Sequence, residues 1–213
     1  MASAFATPGE PGFSRSVTLG LMDYFSRLFG SGARGRLQGW KDFVQSTASR
    51  AGQARANPGE AEPLRPVNGF FNRQPFVEDQ AQWGVEDYWA TPSEFLSSGG
   101  GDCEDYAIAK YFTLKELGVP AAKLRLVYVR TWQPGAHMVL AYYPSPGADP
   151  LILDNQQGSI ENASARPDLT AVYLFNDDDM EIVVAGASAV HVDARSMRKW
   201  REVQDKLARE LTL

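Results

Sequence analysis

Apolar positions along the 213-residue chain are spaced first like helices and then like strands. Leu37, Trp40, Phe43 and Val44 recur at helical intervals from Arg36, and the pattern dies in the polar stretch 52–62 before Pro63 and Pro66, which predicts a helix followed by a loop. Val67, Phe70 and Phe71 predict a second, short helix. Thr91, Pro92 and Glu94 form a helix-start signature, with a capping threonine, a proline in the first turn and a glutamate three residues on, leading into Phe95 and Leu96. A glycine-rich turn at 97–101 precedes a predicted amphipathic helix over 102–117, with Ala107, Tyr111, Leu114 and Leu117 on one stripe and Gly118 and Pro120 as the stop. Residues 124–129 then alternate with period two, and 137–143 and 151–154 are near-continuous apolar runs bounded by Pro and Gly, which predicts strands. The connection 144–150 is too short for a helical crossover, so the last two strands should pair antiparallel. Residues 172–175 and 181–184 extend the sheet, and from Asp193 a closing helix places Met197, Trp200, Val203, Leu207 and Leu211 on one face. Residues 1–35, rich in Gly and Pro around one short apolar piece at 19–29, read as a mostly loose arm.

Helices before an antiparallel sheet give an α+β class, in one domain over 36–213: a mainly helical lobe at 36–100, a helix and sheet at 101–192 and a C-terminal helix at 193–213. With 44% apolar and 22% charged residues the chain can bury a sizeable core. Its 21 basic and 26 acidic residues leave a net charge of −5, which excludes a basic field for nucleic acid. No apolar run approaches the roughly 18 residues a spanning helix needs, so direct membrane insertion is excluded as well. The amino terminus has no basic region followed by an apolar core, so the chain reads either as cytoplasmic or as one whose export segment has been removed.

Cys103 is the only cysteine, and Gly99-Gly100-Gly101-Asp102-Cys103 places it in the first turn of a helix reached through glycines that let another backbone come close. A helix start lowers a thiol pKa and offers free N–H groups to an oxyanion. Of the two histidines, His137 begins one predicted strand, and Asp154 ends the next; in an antiparallel pair those ends are neighbours, so imidazole and carboxylate can meet. Cys103, His137 and Asp154 thus make a candidate nucleophile, base and orienting acid. His191, between Val190 and Val192, reads as structural.

Trp83-Gly84, Asp87-Tyr88-Trp89-Ala90-Thr91-Pro92, the block from Gly101-Asp102-Cys103-Glu104-Asp105 to Tyr111, His137-Met138-Val139-Leu140 and Leu153-Asp154-Asn155 resemble the bacterial transglutaminase-like cysteine proteinases over about residues 36–176. The chain departs from the family pattern at Gln156, where a leucine is usual, and at Asp177-Asp178-Asp179-Met180. The resemblance implies a papain-like or transglutaminase-like fold, with the Cys103 helix packed on the sheet that carries His137 and Asp154. It also implies that Asp102, Glu104 and Asp105 bind Ca²⁺, that the protein is periplasmic, that its substrate is an exported biofilm adhesin cut near its N-terminus in a paired-alanine segment, and that an inner-membrane cyclic-di-GMP receptor sequesters it. Two other readings stay open: acyl transfer from glutamine to an amine through the same thioester, and a calcium-dependent binding module without activity. At about 100° per residue the three acids leave the helix start about 100° to 160° away from Cys103, which predicts that they do not share a ligand sphere with the sulfur. Left unneutralised, they would raise the thiol pKa.

Overall fold

The computed structural model describes residues 17–54, 63–132, 135–183 and 190–213; the first sixteen residues of the expected arm and the stretch 55–62 lie outside them. The elements run α1 (Leu19–Phe29), α2 (Gly32–Ala54), α3 (Leu64–Phe71), α4 (Asp79–Gln82), α5 (Pro92–Ser98), α6 (Cys103–Glu116), β1 (Leu124–Thr131), β2 (Ala136–Tyr142), β3 (Leu151–Leu153), β4 (Glu161–Asn162), β5 (Leu169–Phe175), β6 (Met180–Ile182), β7 (Val190–Val192) and α7 (Arg198–Glu210). No described helix is long and apolar enough to cross a membrane.

The expectation of a loose arm through residue 35 is wrong for its second half. Thr18 accepts a hydrogen bond from the Leu21 amide at 3.0 Å and caps α1, whose Leu21, Met22 and Phe25 are buried together with Val17. Apart from Gly20 in its first turn, the glycines and prolines that suggested looseness flank this apolar helix, and its buried face is not interrupted. The second helix also starts earlier than predicted, at Gly32, and buries Leu37, Trp40 and Val44. From its first turns Arg36 reaches the C-terminal carbonyls of α5, with Nε donating to the Leu96 oxygen at 2.6 Å and a terminal nitrogen donating to that of Ser97. A basic side chain there satisfies acceptors that the end of α5 leaves free. The predicted start of α5 is present as a full capping box, with Thr91 and Glu94 each bonding the other's amide.

The predicted amphipathic helix is instead buried on every side: each residue from Asp105 to Leu114 is enclosed. One side lies on β1 and β2, and the others are covered by α3, α5 and the aromatic side of α7, where Trp200 stacks on Phe112 and meets Tyr111 edge-on. The charged positions of α6 suggested a solvent face because the lobe that covers them comes from elsewhere in the chain. Trp40 of α2 donates to Thr113 of α6 at 3.1 Å, one of the polar contacts that this burial demands.

The sheet is antiparallel throughout, in the order β4-β3-β2-β1-β5-β6-β7, with β2 and β3 paired as predicted through Leu140 and Leu153. Leu126, Met138, Leu140, Leu153 and Phe175 pack in the same core as α6, while Val127, Val129, Val139, Ala141 and Ile152 form a second cluster on the other face. The edge strand β7, which carries His191, was not predicted; it pairs with β6. On α7, Trp200, Val203 and Leu207 are buried as expected, whereas Leu211 falls beyond the helix and is exposed.

Glu210, at the end of α7, is buried and accepts a hydrogen bond from the Thr91 hydroxyl at the cap of α5. Burial first, and then the nearby Glu94 charge, push its carboxyl up from 4.5 to about 8, against the pull of Thr91, Ser93 and Lys206. A carboxyl raised in this way favours the fold while protonated; its contribution is whole below about 4.5 and is lost as pH rises through about 8. Urea titrations should therefore show stability declining across that window, and Glu210→Gln should remove up to about 1.4 kcal/mol of that decline per pH unit.

Candidate active site

Cys103 opens α6 at the end of a backbone path that only glycine permits. Gly99 ends α5 in the left-handed region at φ 93°. Gly100 and Gly101 then run against the chain's own segment 75–77: the Gly101 amide donates to the Pro75 oxygen at 3.3 Å, and the Val77 amide donates to the Gly101 oxygen at 2.9 Å. A Cβ on Gly100 would lie 2.5 Å from the Pro75 oxygen, and one on Gly101 would collide with the Asp105 carboxylate and the Phe95 ring. The close approach anticipated for another chain is made here by this one.

Beyond Leu140 and Leu153 the β2–β3 ladder stops, and the space between the strand ends holds the polar groups. His137 Nε2 lies 2.9 Å from Asp154 Oδ1, and both side chains are buried. That contact assigns the neutral ring's hydrogen to Nε2 and leaves Nδ1 as the acceptor nitrogen, 3.5 Å from Gln156 Nε2. The Met138 amide, next along β2, hydrogen-bonds the Cys103 sulfur, so thiol and imidazole converge on one end of that strand. Asp154 also accepts from the Gln156 amide on Oδ1 and from Arg166 on Oδ2, each at 2.9 Å. Burial would raise this carboxyl, but His137, the Gln156 amide and Arg166 outweigh it and hold it at about 2. From α6 the ammonium of Lys110, fully buried and without a hydrogen bond among the described residues, adds its charge toward Asp154; burial pushes its pKa down to about 7 against that attraction.

The acids are arranged differently from the expected set. Asp79, Asp102 and Glu104 bring ligand oxygens within 4.8 Å of one another, and Asp105 is not among them. Asp105 is buried with Oδ1 accepting from the Ala90 amide at 2.7 Å, which ties α6 to the segment leading into α5. Asp79, absent from the predicted set, comes from α4 and accepts from the Tyr88 amide through Oδ2. It belongs to no recognisable motif, so nothing in its own neighbourhood marked it out. The sulfur is not among the ligand atoms that come together, as the helical angle predicted, but Glu104 does not stay on the far side: the thiol donates to its Oε2 at 3.1 Å. The helical angle describes where a side chain leaves the backbone, and three further torsions carry this carboxylate back to the sulfur. Arg166 was also missed, since it lies outside every motif.

The electrostatics follow from this crowding. Burial, then the Glu104 charge and its hydrogen bond, then Asp102, push the Cys103 thiol well above its ordinary value, against the Met138 amide. The lowering expected from the helix start is outweighed. Asp79 is raised to about 6, chiefly by burial. Asp102 is raised to about 10 by burial and then by Glu104 and Asp105. Asp102 stands at the cap position of α6 without capping it, and its Oδ1, like Oδ1 of Asp79, is buried without a hydrogen bond. Desolvated carboxylate oxygens with unused acceptor capacity are suited to a hard divalent cation. His191 lies apart, exposed on β7 and 3.7 Å from Asp179.

A thiol at the start of a central helix, beside a His–Asp pair on adjacent antiparallel strands, is the arrangement of a transglutaminase-like thiol enzyme. The family model described as bacterial transglutaminase-like cysteine proteinase BTLCP matches residues 39–168, and the chain belongs to that family of cysteine proteases. Solved structures of Legionella pneumophila LapG are similar. The EGTA-treated form is 35% identical over 87% of this chain and 97% of its own, with a TM-score of 0.71. The calcium-bound form is 35% identical over 87% and 98%, with a TM-score of 0.67. No curated protein sequence matches the chain.

With divalent cations removed, alkylation of Cys103 by iodoacetamide near neutral pH should be slow. Glu104→Gln should accelerate it roughly tenfold, the equivalent of one pKa unit, because it takes away the charge nearest the sulfur.

Proposed function

We propose that the chain is a calcium-dependent endopeptidase in which Cys103 is the nucleophile, His137 the base and Asp154 the orienting acid. The observation that carries this reading is the 2.9 Å contact between His137 Nε2 and Asp154 Oδ1 beside the one helix-borne thiol. His137 Nδ1 takes the thiol proton, and the sulfur attacks the substrate's carbonyl carbon. The first N–H groups of α6 lack acceptors within the helix and are the donors available to the oxyanion. The imidazolium then gives its proton to the leaving amine, which departs and leaves a thioester on Cys103. His137 next draws a proton from water as it attacks the thioester, and the acid product is released with the thiol restored. Throughout, Asp154 holds the ring's orientation and balances its charge.

Asp79, Asp102 and Glu104 would hold Ca²⁺, and the chemistry it supplies is neutralisation of the negative charge beside the thiol. Two buried, unbonded carboxylate oxygens support that assignment, as does a calcium-bound form among the similar LapG structures. The substrate is an exported cell-surface adhesin, cut near its N-terminus in a paired-alanine segment whose small side chains let its backbone lie close to the glycine approach. The site of action is the periplasm, and an inner-membrane receptor that senses a cyclic dinucleotide sequesters the enzyme. These three assignments rest on the family resemblance.

Purified protein with calcium should cut a candidate adhesin fragment at one position. EGTA should abolish the cut and lower the thermal midpoint, with Ca²⁺ restoring both and Mg²⁺ doing so poorly. Cys103→Ala and His137→Ala should remove turnover with little change in thermal midpoint, and Asp154→Asn should lower it by about a hundredfold or more. Asp79→Ala and Asp102→Ala should imitate EGTA with the triad intact. Full activity in Cys103→Ala would overturn the reading, and glutamine-dependent amine incorporation without cleavage would make the enzyme a transferase.

A further inference from the structure

We propose that Arg166 is a positioning residue for the His137–Asp154 pair, and that Asp168 clamps its guanidinium so that one oxygen of Asp154 is always presented to the imidazole. This rests on the triad reading above. The two oxygens of Asp154 have separate duties: Oδ1 meets His137 Nε2 and the Gln156 amide, while Oδ2, among the described residues, receives only Arg166, at 2.9 Å. The terminal carboxylate torsion of aspartate is broad, so without a fixed donor on Oδ2 the group could rotate and present the ring with an oxygen in the wrong direction.

Arg166 has little freedom itself. Its Nε lies 2.9 Å from Asp168 Oδ1 and its terminal nitrogen 2.7 Å from Asp168 Oδ2, a two-point fork that fixes the guanidinium plane. The backbone holds it too: its amide closes the 3-10 turn Ala163–Ala165 by donating to Ala163 at 3.0 Å, and its carbonyl accepts from Leu169 at 3.1 Å where β5 begins. Its side chain lines a small cavity on the outer sheet face with Val129, Ile152 and Leu169, so the stem is held among apolar groups.

The charges are consistent with this role. Asp154 is faced by His137 from β2, Arg166 from the turn before β5 and Lys110 from α6. Of these, only Arg166 is a cation that stays charged at every working pH and touches the carboxylate directly. When the ring gains a proton, Asp168 provides the second negative charge that keeps the Arg–Asp–His group from becoming a net buried cation.

The test reads the ring without any substrate. ¹⁵N NMR separates the neutral tautomers of His137, with exposed His191 as an internal reference, and Cys103 alkylation in calcium measures the base. The wild type should show the Nε2–H tautomer alone. Arg166→Met should give a tautomer mixture and slow alkylation about tenfold, a fraction of what a general base supplies. Arg166→Lys should recover part of both, and Asp168→Ala should move both in the same direction by less. His191 should not change in any variant. A folded Arg166→Met with one tautomer and alkylation within about twofold of wild type would overturn the proposal; should that variant not fold, the same result in Asp168→Ala overturns it. A protein that cuts no adhesin but shows the tautomer shift refutes the proteolytic reading and leaves the role of Arg166 standing.

Discussion

Negative charge taken out of water at the start of α6 is the constraint on which the rest of the structure depends. Asp102, Glu104 and Asp105 flank Cys103, and α6 is enclosed from Asp105 to Leu114. Each acid therefore has to find a donor or a partner inside the protein. Asp105 takes the Ala90 amide, which draws the segment before α5 onto α6. Glu104 accepts a hydrogen bond from the thiol, and Asp102, with Asp79 beside it, keeps an oxygen unbonded. The glycine path at 100–101 belongs to the same constraint, because any side chain there would displace the Asp105 carboxylate or the segment that brings Asp79 into place.

Asp154 shows the opposite solution for the same residue type. Asp102 and Asp154 are both desolvated aspartates near Cys103, yet one is raised to about 10 and the other held at about 2. The difference is the company: Asp102 sits among other acids, whereas Asp154 has an imidazole, a backbone amide and a guanidinium on its two oxygens. One end of the helix–sheet junction thus keeps a carboxylate ionised against the His137 ring, and the other gathers carboxylates that cannot all stay ionised without a cation.

The parts of this arrangement that were legible in the sequence are those set by local period and local chemistry. The pairing of β2 with β3 followed from two apolar runs and a short connection, and with it came the meeting of His137 and Asp154. The α5 start followed from Thr91, Pro92 and Glu94. Whatever depends on distant segments was not legible. The buried faces of α6 are covered by α3, α5 and α7, so charged residues on it could not be recognised as interior. The first helix was lost in a count of glycines and prolines that surround its apolar face. Asp79 and Arg166 reach the site from outside the motifs, and a ligand oxygen or a counter-ion contributed by a neighbouring loop leaves no periodic trace. Glu104 illustrates a different limit: its position on the helix was right, and the reach of its side chain was not deducible from that position.

On the proposed reading, the Cys103–Glu104 hydrogen bond also sets the order in which the site can work. While the thiol donates to that carboxylate, its proton is engaged by Glu104 and not by His137, and ionisation would place two negative charges 3.1 Å apart. His137 can act as base on that reading only once Glu104 is engaged elsewhere, and among the described residues the acids nearest to it are Asp79 and Asp102, which burial and the Glu104 charge itself raise to about 6 and about 10. Asp79, Asp102 and Glu104 would together hold Ca²⁺, whose charge would compensate these acids and leave the thiol proton to His137. Reactivity and stability are then coupled by construction, because Asp79 comes from α4 and Glu104 from α6, and the Glu104 charge that raises Asp79 also keeps the sulfur protonated.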